Sequence, residues 1–391
     1  MGTPFDRLGL DQLRRRQSLK WRAYPPDVLP LWVAEMDTLP AEPVTRALAD
    51  ALALGDTGYP WGTGYAEAYA DAAEQRWGWR PDPAATLLVA DVMNGVSAAL
   101  ALVTGPGDAV VLTPPVYPPF SGFSRHLGRE VVHAPLGPDD RLDLAALDRA
   151  FAEATAGGRR AALLLSSPHN PTGTVHTRAE LEAVAALAEA AGVRVVVDEI
   201  HAPLVFADDG ADGFTPYLDV AGGERGFAVF SASKGWNLAG LKAALLVAGD
   251  GARDDLARVP EEVTHGASSL GVLAHTVALR EGGPWLAEHL DGLDQNRHLL
   301  ADLLAAHLPE VGYRVPAATY LAWLDLSPLG LPEEPGPFLL AHAGVALSAG
   351  LDFGPPGAGH ARLNFATSTA VLSEAVERMV VAVRSRPVQR N

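Results

Sequence analysis

Between residues 87 and 247 short apolar runs alternate with amphipathic stretches, and this alternation constrains the fold more than any other feature of the chain. The runs are Leu87–Ala90, Ala109–Leu112, Glu130–His133, Ala161–Leu165, Arg194–Val197, Ala228–Phe230 and Ala243–Val247. Most lack the polar–apolar alternation of a half-exposed strand. Helices are predicted between them at Leu144–Ala154 and Arg178–Ala191, the second opened by Thr177 and Glu180 in capping-box spacing. Strands buried on both faces and joined by helical crossovers build a mainly parallel α/β sheet covered on both sides. In such sheets ligands bind beyond the carboxyl ends of the strands. That rule singles out Tyr117, Asn170, Asp198 and Lys234, each of which follows an apolar run.

The pattern divides the chain in three. Residues 1–40 read as an arm that joins a small domain, 41–284 as the large domain, and 285–391 as a smaller α+β domain. The last part carries a long helical pattern from Trp285 to Leu308, strand candidates at Thr319–Leu326 and Ala361–Ala366, and a terminal helix over Leu372–Arg384. In the large part, Asn94-Gly95-Val96-Ser97 opens an apolar helix directly after the Leu87–Ala90 run. A strand, a glycine-containing turn and a helix start form a site for an anion, because the unbonded N–H groups and the helix dipole both face it.

Composition narrows the function. A formal charge of −17 disfavours nucleic acid or an anionic membrane as a principal partner. The absence of cysteine excludes disulfides, thiolate metal sites and cysteine nucleophiles. No run of apolar residues reaches membrane-spanning length, and the first 21 residues lack the apolar core of a signal peptide, so a cytoplasmic enzyme is expected. The 12 histidines form no convincing metal-ligand cluster, and no G-x-G-x-x-G follows an early strand, which disfavours a dinucleotide dehydrogenase.

The stretch Ser231-Ala232-Ser233-Lys234-Gly235-Trp236-Asn237-Leu238-Ala239-Gly240 follows the Phe227–Phe230 run and breaks into small residues around one lysine. Lys234 by itself reads as a solvated residue in a strand-exit turn. Together with the other strand-end residues it reads differently. A lysine amine forms a Schiff base with an aldehyde cofactor, an aspartate keeps a pyridine nitrogen protonated, an asparagine donates to a phenolate oxygen and a tyrosine stacks on a ring. Those are the requirements of pyridoxal 5′-phosphate (PLP), and Asp198 and Lys234 are 36 residues apart, the length of one crossover with its strands.

These motifs resemble the fold-type I, class I/II aminotransferase superfamily of PLP enzymes over essentially the whole chain. Within it, the chain is similar to the cystathionine β-lyase-like C–S lyases. The segments that carry this are Ser18-Leu19-Lys20-Trp21, Trp32-Val33-Ala34-Glu35-Met36-Asp37, Pro168-His169-Asn170-Pro171-Thr172-Gly173, Asp198-Glu199-Ile200-His201, Ser233 to Leu241 and Thr319 to Asp325. The resemblance implies that Lys234 holds the cofactor and moves protons. Asp198 pairs with the pyridine nitrogen, Asn170 and His201 serve the ring oxygen, and Tyr117 stacks on the ring. It places backbone of Val96 and Ser97, and the hydroxyls of Ser231 and Ser233, on the phosphate. Tyr59 reaches the phosphate of a partner subunit, so a homodimer with shared sites is implied. Arg362 clamps the substrate carboxylate, and Trp32 and Tyr320 line the substrate pocket.

Four departures stand out. Asn94-Gly95-Val96-Ser97 replaces a Pro-Gly-Val-Val pattern, Glu35 stands where the branch commonly has Asp, and Ala202-Pro203 follows His201 in place of an acidic turn. Lys242, eight residues after Lys234, either adds a phosphate contact or caps the next strand. The expected reaction is α,β-elimination from a cysteine S-conjugate such as cystathionine. An aminotransferase or specialised biosynthetic PLP enzyme, and a regulatory binding protein of the same branch, are the alternatives.

Overall fold

The computed structural model describes residues 2–207 and 213–385; Met1, 208–212 and 386–391, at the ends of the expected arm and small domain and inside the expected large one, lie outside the described residues. The chain forms two compact units, one of residues 40–170 and 174–286, the other of residues 1–39, 171–173 and 287–391.

Among the described residues the larger unit is built on a seven-stranded sheet: β1 (Thr86–Val89), β2 (Ala109–Leu112), β3 (Glu130–His133), β4 (Ala161–Ser166), β5 (Arg194–Asp198), β6 (Phe227–Phe230) and β7 (Ala244–Ala248). Their order is β1-β7-β6-β5-β4-β2-β3. The pairings β6–β5, β5–β4, β4–β2 and β2–β3 are parallel, and β7 runs antiparallel to both β6 and β1. The helices used below are α1 (Gly64–Trp77), α2 (Val92–Val103), α3 (Leu144–Ala154), α4 (Arg178–Ala191) and α5 (Ser269–Glu281).

Each face of the sheet is sealed by its own apolar layer. Leu147 and Phe151 of α3 and Leu181 and Val184 of α4 pack with Leu163, Leu165 and Val197 on one side. Val96, Ala99 and Leu100 of α2 pack with Val110, Leu164 and Val229 on the other. Leu- and Val-sized side chains fully removed from water contribute about 1.5–3 kcal/mol each, which is why the interiors of the central strands are apolar. The Thr177 and Glu180 capping box is present at the start of α4, with the Thr177 hydroxyl accepting from the Glu180 N–H. Gly95 lets α2 lie close against β6: a Cβ there would stand 2.7 Å from Val229 Cγ1.

The smaller unit holds an antiparallel four-stranded sheet in the order Ser348–Ala349, His360–Asn364, Leu321–Asp325, Gly312–Tyr313. Leu29–Pro30 of the N-terminal arm pairs in parallel with Val345–Ala346. The arm is tied down by a buried ion pair, Lys20 Nζ to Asp37 Oδ2 at 2.8 Å, with side chains 0% and 1% exposed. Trp21 Nε1 donates to Asp37 Oδ1 (3.0 Å), and Lys20 Nζ also donates to the Glu35 carbonyl (3.1 Å). No helix among the described residues is long and apolar enough to cross a membrane.

Candidate active site

The strand-end residues of the larger unit gather at one edge of its sheet. Asp198 ends β5, Lys234 lies four residues beyond β6, Asn170 four beyond β4 and Tyr117 five beyond β2. Those strands run parallel side by side, so their carboxyl ends share an edge. Asp198 is 5% exposed, and its Oδ1 accepts from the Ile200 N–H (3.0 Å). Burial pushes its carboxyl up to about 7, against the opposing pull of the Ile200 N–H and the Lys234 charge. A carboxylate buried in this way is stabilised by a cationic partner. Lys234 is half-buried. Asn170 is buried, its N–H donating to Ser166 Oγ (3.3 Å), and His201 is buried on the turn after Asp198. Tyr117 is half-buried and meets Phe120 edge-on at 5.7 Å between ring centroids.

The turn that carries Lys234 is closed by its own backbone. The Trp236 N–H donates to the Ala232 carbonyl (3.0 Å) and the Leu238 N–H to the Ser233 carbonyl (2.8 Å). Asn237 sits at φ 57°, a left-handed conformation that asparagine tolerates better than most residues. Ser231, expected at the phosphate, has a hydroxyl that donates to the Ala243 carbonyl (2.7 Å) and accepts from the Ser233 N–H (3.2 Å), contacts that brace the turn. Ser233 remains half-buried beside it.

The anion site also differs from expectation. Helix α2 begins at Val92, not at Asn94, and its N-cap is Asp91, whose Oδ1 accepts from the Asn94 N–H (2.9 Å). The Gly95 N–H is already bonded to the Asp91 carbonyl (3.0 Å). Val96 and Ser97 therefore lie one turn inside the helix, where backbone N–H groups bond the carbonyl four residues back, and the Ser97 hydroxyl donates to the Met93 carbonyl (2.7 Å). The N–H groups without an intrahelical acceptor belong to the first turn, at Val92 and Met93. Lys242, expected either at the phosphate or as a strand cap, instead reaches the other carboxylate oxygen of Asp91 and neutralises the cap. That ion pair and the Asn94 bonds hold the Asp91 carboxyl below its ordinary range against the effect of burial.

Arg362, Trp32 and Tyr320 belong to the smaller unit, and there they form a group of their own. Arg362 stands opposite Ser348 across a strand pair. Arg362 Nη2 donates to the Trp32 carbonyl (2.9 Å) and Ser348 Oγ (3.2 Å), and the guanidinium lies 5.0 Å from the Phe353 ring centroid. Asn364 Nδ2 donates to the carbonyls of Val33 and Glu35, both at 2.7 Å. Tyr320, expected in the substrate pocket, is fully buried, and its hydroxyl donates to the Ala34 carbonyl (3.0 Å), which supports the 32–35 backbone. Tyr59 is 93% exposed beside a fully exposed Trp61.

Sequence reasoning missed three buried side chains at the large-unit site. Tyr65 of α1 and His275 of α5 meet at 3.1 Å, and the Tyr65 hydroxyl accepts from the Ala232 N–H (3.3 Å). Glu199, adjacent to Asp198, is also fully buried; its Oε1 accepts from the Tyr217 N–H (2.8 Å), and burial pushes its carboxyl up to about 8. A polar residue on the inner face of a helix was the available signal for Tyr65.

The sequence and fold that carry these residues are shared with known proteins. A family profile described as "Aminotransferase class I and II" matches residues 26–379, and the chain belongs to that family. A protein of Mycobacterium leprae named "Putative cystathionine beta-lyase" is 53% identical over 393 residues, covering 96% of this chain and 97% of its own. The "Cystathionine beta-lyase" of Corynebacterium glutamicum is 34% identical over 377 residues, covering 95% and 98%. Among solved structures, a "putative plp-dependent beta-cystathionase" from Corynebacterium diphtheriae superposes with a TM-score of 0.92 at 32% identity, covering 99% of this chain and all of its own. The fold is the fold type I of PLP-dependent enzymes.

The large-unit residues fit that cofactor. The buried Asp198 suits a pyridinium, the Lys234 amine an aldehyde, and the first turn of α2 a phosphate.

Proposed function

We propose that the chain is a PLP-dependent cysteine-S-conjugate β-lyase that cleaves the C–S bond of a cystathionine-type substrate to pyruvate, ammonia and a thiol. The observation that carries this is the juxtaposition of Lys234 with the buried Asp198 at adjacent strand ends. The 53% full-length identity to a protein named for this chemistry selects elimination over transamination.

When bound, the cofactor supplies an aldehyde that captures the substrate amine and a protonated ring that accepts the electron pair released at Cα. Asp198 keeps that ring nitrogen protonated, since a carboxyl of raised pKa gains most from a cation against it. Asn170, His201 and Tyr117 are assigned to the ring, and Ser233 with the Val92 and Met93 N–H groups to the phosphate. Lys234 anchors the aldehyde at rest. Once displaced by substrate, its amine takes the proton from Cα as a general base. Expulsion of the thiolate from the β-carbon then takes the electron pair, and a proton neutralises the leaving sulfur. The proton Lys234 has taken would be available to the leaving sulfur, its amine would be free to hold the aldehyde again, and water would convert the released fragment to pyruvate and ammonia. Arg362 is assigned to the substrate carboxylate, with Trp32 in the same pocket wall.

The reading includes a cytoplasmic homodimer. Tyr59, Trp61, Leu52 and Leu54 are 93%, 100%, 57% and 81% exposed on one stretch of chain, an apolar surface of the kind that marks an interface. Reconstitution with PLP tests the cofactor assignment. Wild type is expected to develop the visible absorbance of the bound aldehyde and to release pyruvate from L-cystathionine, and Lys234→Ala to do neither. A visible band retained unchanged in Lys234→Ala would remove the reading.

A further inference from the structure

The turn that carries Lys234 is held from outside by one buried tyrosine–histidine pair. Tyr65 is 3% exposed and His275 is fully buried. Their rings meet edge-on, with centroids 5.5 Å apart and planes at 81°. The Tyr65 oxygen accepts from the Ala232 N–H, two residues before Lys234, and stands 3.1 Å from His275 Nδ1. Burial pushes His275 down to about 4, opposed by the backbone of Leu238 and Leu241, so the ring is neutral near pH 7. Burial likewise pushes the Tyr65 phenol up and keeps it protonated. A neutral phenol that accepts from Ala232 has its own proton to give, and a neutral imidazole nitrogen can take it.

Helix α5 follows the same loop for its whole length. At its start, a Cβ on Gly271 would stand 2.8 Å from the Lys242 carbonyl oxygen and 3.0 Å from Leu241, so the helix and the end of the loop are in direct contact. In its middle, His275 faces Leu238 and Leu241. Just past its end, the Gly282 carbonyl accepts from Trp236 Nε1 (2.9 Å). The loop from Ser231 to Lys242 is thus fixed at its first turn by Tyr65, at its middle by Trp236 and at its far end by α5.

We infer that Tyr65 and His275 are positioning residues for the cofactor lysine: through Ala232 they set where the Lys234 amine stands relative to Asp198, and so its basicity. This rests on the assignment of Lys234 made above. Neither side chain touches substrate or cofactor in this account. Each acts through the backbone of the turn.

Tyr65→Phe deletes one hydroxyl and keeps the ring. Five proteins are compared after loading with PLP: wild type, Tyr65→Phe, His275→Gln, Tyr65→Phe/His275→Gln and Lys234→Ala. The readouts are the pH midpoint of the visible band, kcat, PLP affinity from titration of the apoprotein, and thermal stability. Tyr65→Phe is expected to move the pH midpoint by about one unit and to lower kcat by roughly 10–100-fold, the scale of a misplaced catalytic group. His275→Gln, which keeps an acceptor for the phenol, is expected to retain most of the wild-type behaviour, and Tyr65→Phe/His275→Gln to be no worse than Tyr65→Phe alone. If Tyr65→Phe unfolds, His275→Phe substitutes for it as the variant that removes the acceptor. A variant that melts earlier with the wild-type midpoint and PLP affinity would overturn the inference and leave the pair structural. Loss of the band in Lys234→Ala alongside that result would leave the lysine assignment standing. Retention of the band there would instead remove the assignment itself.

Discussion

Removing either member of the Lys20–Asp37 pair should destabilise the protein far more than removing both charges together. Both side chains are essentially without solvent and 2.8 Å apart. In Lys20→Met, the Asp37 carboxylate keeps the Trp21 N–H; in Asp37→Asn, the ammonium keeps the Glu35 carbonyl and the face of the Trp21 ring. Leaving one buried charge without its counterion costs about 3–5 kcal/mol, whereas replacing the pair by neutral groups is often close to neutral. Lys20→Met/Asp37→Asn retains an acceptor for Trp21 Nε1 and carries no buried charge. Its expected loss is about 1–2 kcal/mol, one lost neutral bond with imperfect packing. The coupling in the double-mutant cycle is then several kcal/mol. The site should register the change as well. Asp37 ends the segment whose Trp32, Val33 and Glu35 carbonyls accept from Arg362 and Asn364; under the proposed assignment of Arg362 to the substrate carboxylate, the single variants are expected to raise KM more than they lower kcat. Denaturant unfolding of the four proteins at neutral pH, followed by tryptophan fluorescence, measures the cycle. Single-variant losses below about 1 kcal/mol, the range of exposed pairs, would refute the reasoning.

Three further outcomes follow from the geometry. Asp91→Asn keeps the α2 cap but removes a negative charge from the phosphate end of the helix, so PLP affinity should tighten by about two- to fivefold; weaker binding in a PLP titration would count against a phosphate at this turn. Burial depresses His176 from 6.5 to about 3, so the folded protein binds fewer protons than the unfolded chain below pH 6.5, and the stability present above that pH is lost as pH falls toward 3. At pH 5 this imidazole accounts for about 2 kcal/mol. Asp198 and Glu199, raised to about 7 and about 8, act with the opposite sign, losing stability as pH rises. The test is therefore the difference between wild type and His176→Asn, whose loss between about pH 7.5 and 5 should be smaller by about 2 kcal/mol; identical pH slopes would contradict it. Trp61→Ala should weaken self-association by about 30-fold, as for a central interface aromatic, and sedimentation showing an unchanged dimer, or a wild-type monomer, would argue against the shared-site arrangement.

The parallel strands were legible because burial leaves short runs with mainly apolar interiors, and α3 and α4 because their apolar period and the Thr177 cap are local signals. The strand-end residues followed from the sheet rule with no knowledge of distance. The start of α2 was not legible. Val92 and Met93 are as apolar as the strand before them, and only the Asp91 side chain, turned onto the Asn94 N–H, marks the boundary. Hydroxyl direction was equally hidden: the same serine or tyrosine faces a ligand or its own backbone depending on tertiary neighbours, as Ser231 and Tyr320 show. The Tyr65–His275 contact joins residues 210 positions apart, and α5 carries no polar–apolar contrast strong enough to announce which face is buried.

The most direct test of the central claim is a count of pyruvate released per active site from L-cystathionine, with purified, PLP-loaded protein and no keto-acid acceptor. Elimination regenerates Lys234 at every turnover, so pyruvate, ammonia and thiol should accumulate together in many-fold excess over sites. Conversion of the cofactor to its amine form in a single turnover, with no pyruvate, would contradict the lyase account and show that the same lysine and aspartate serve transamination.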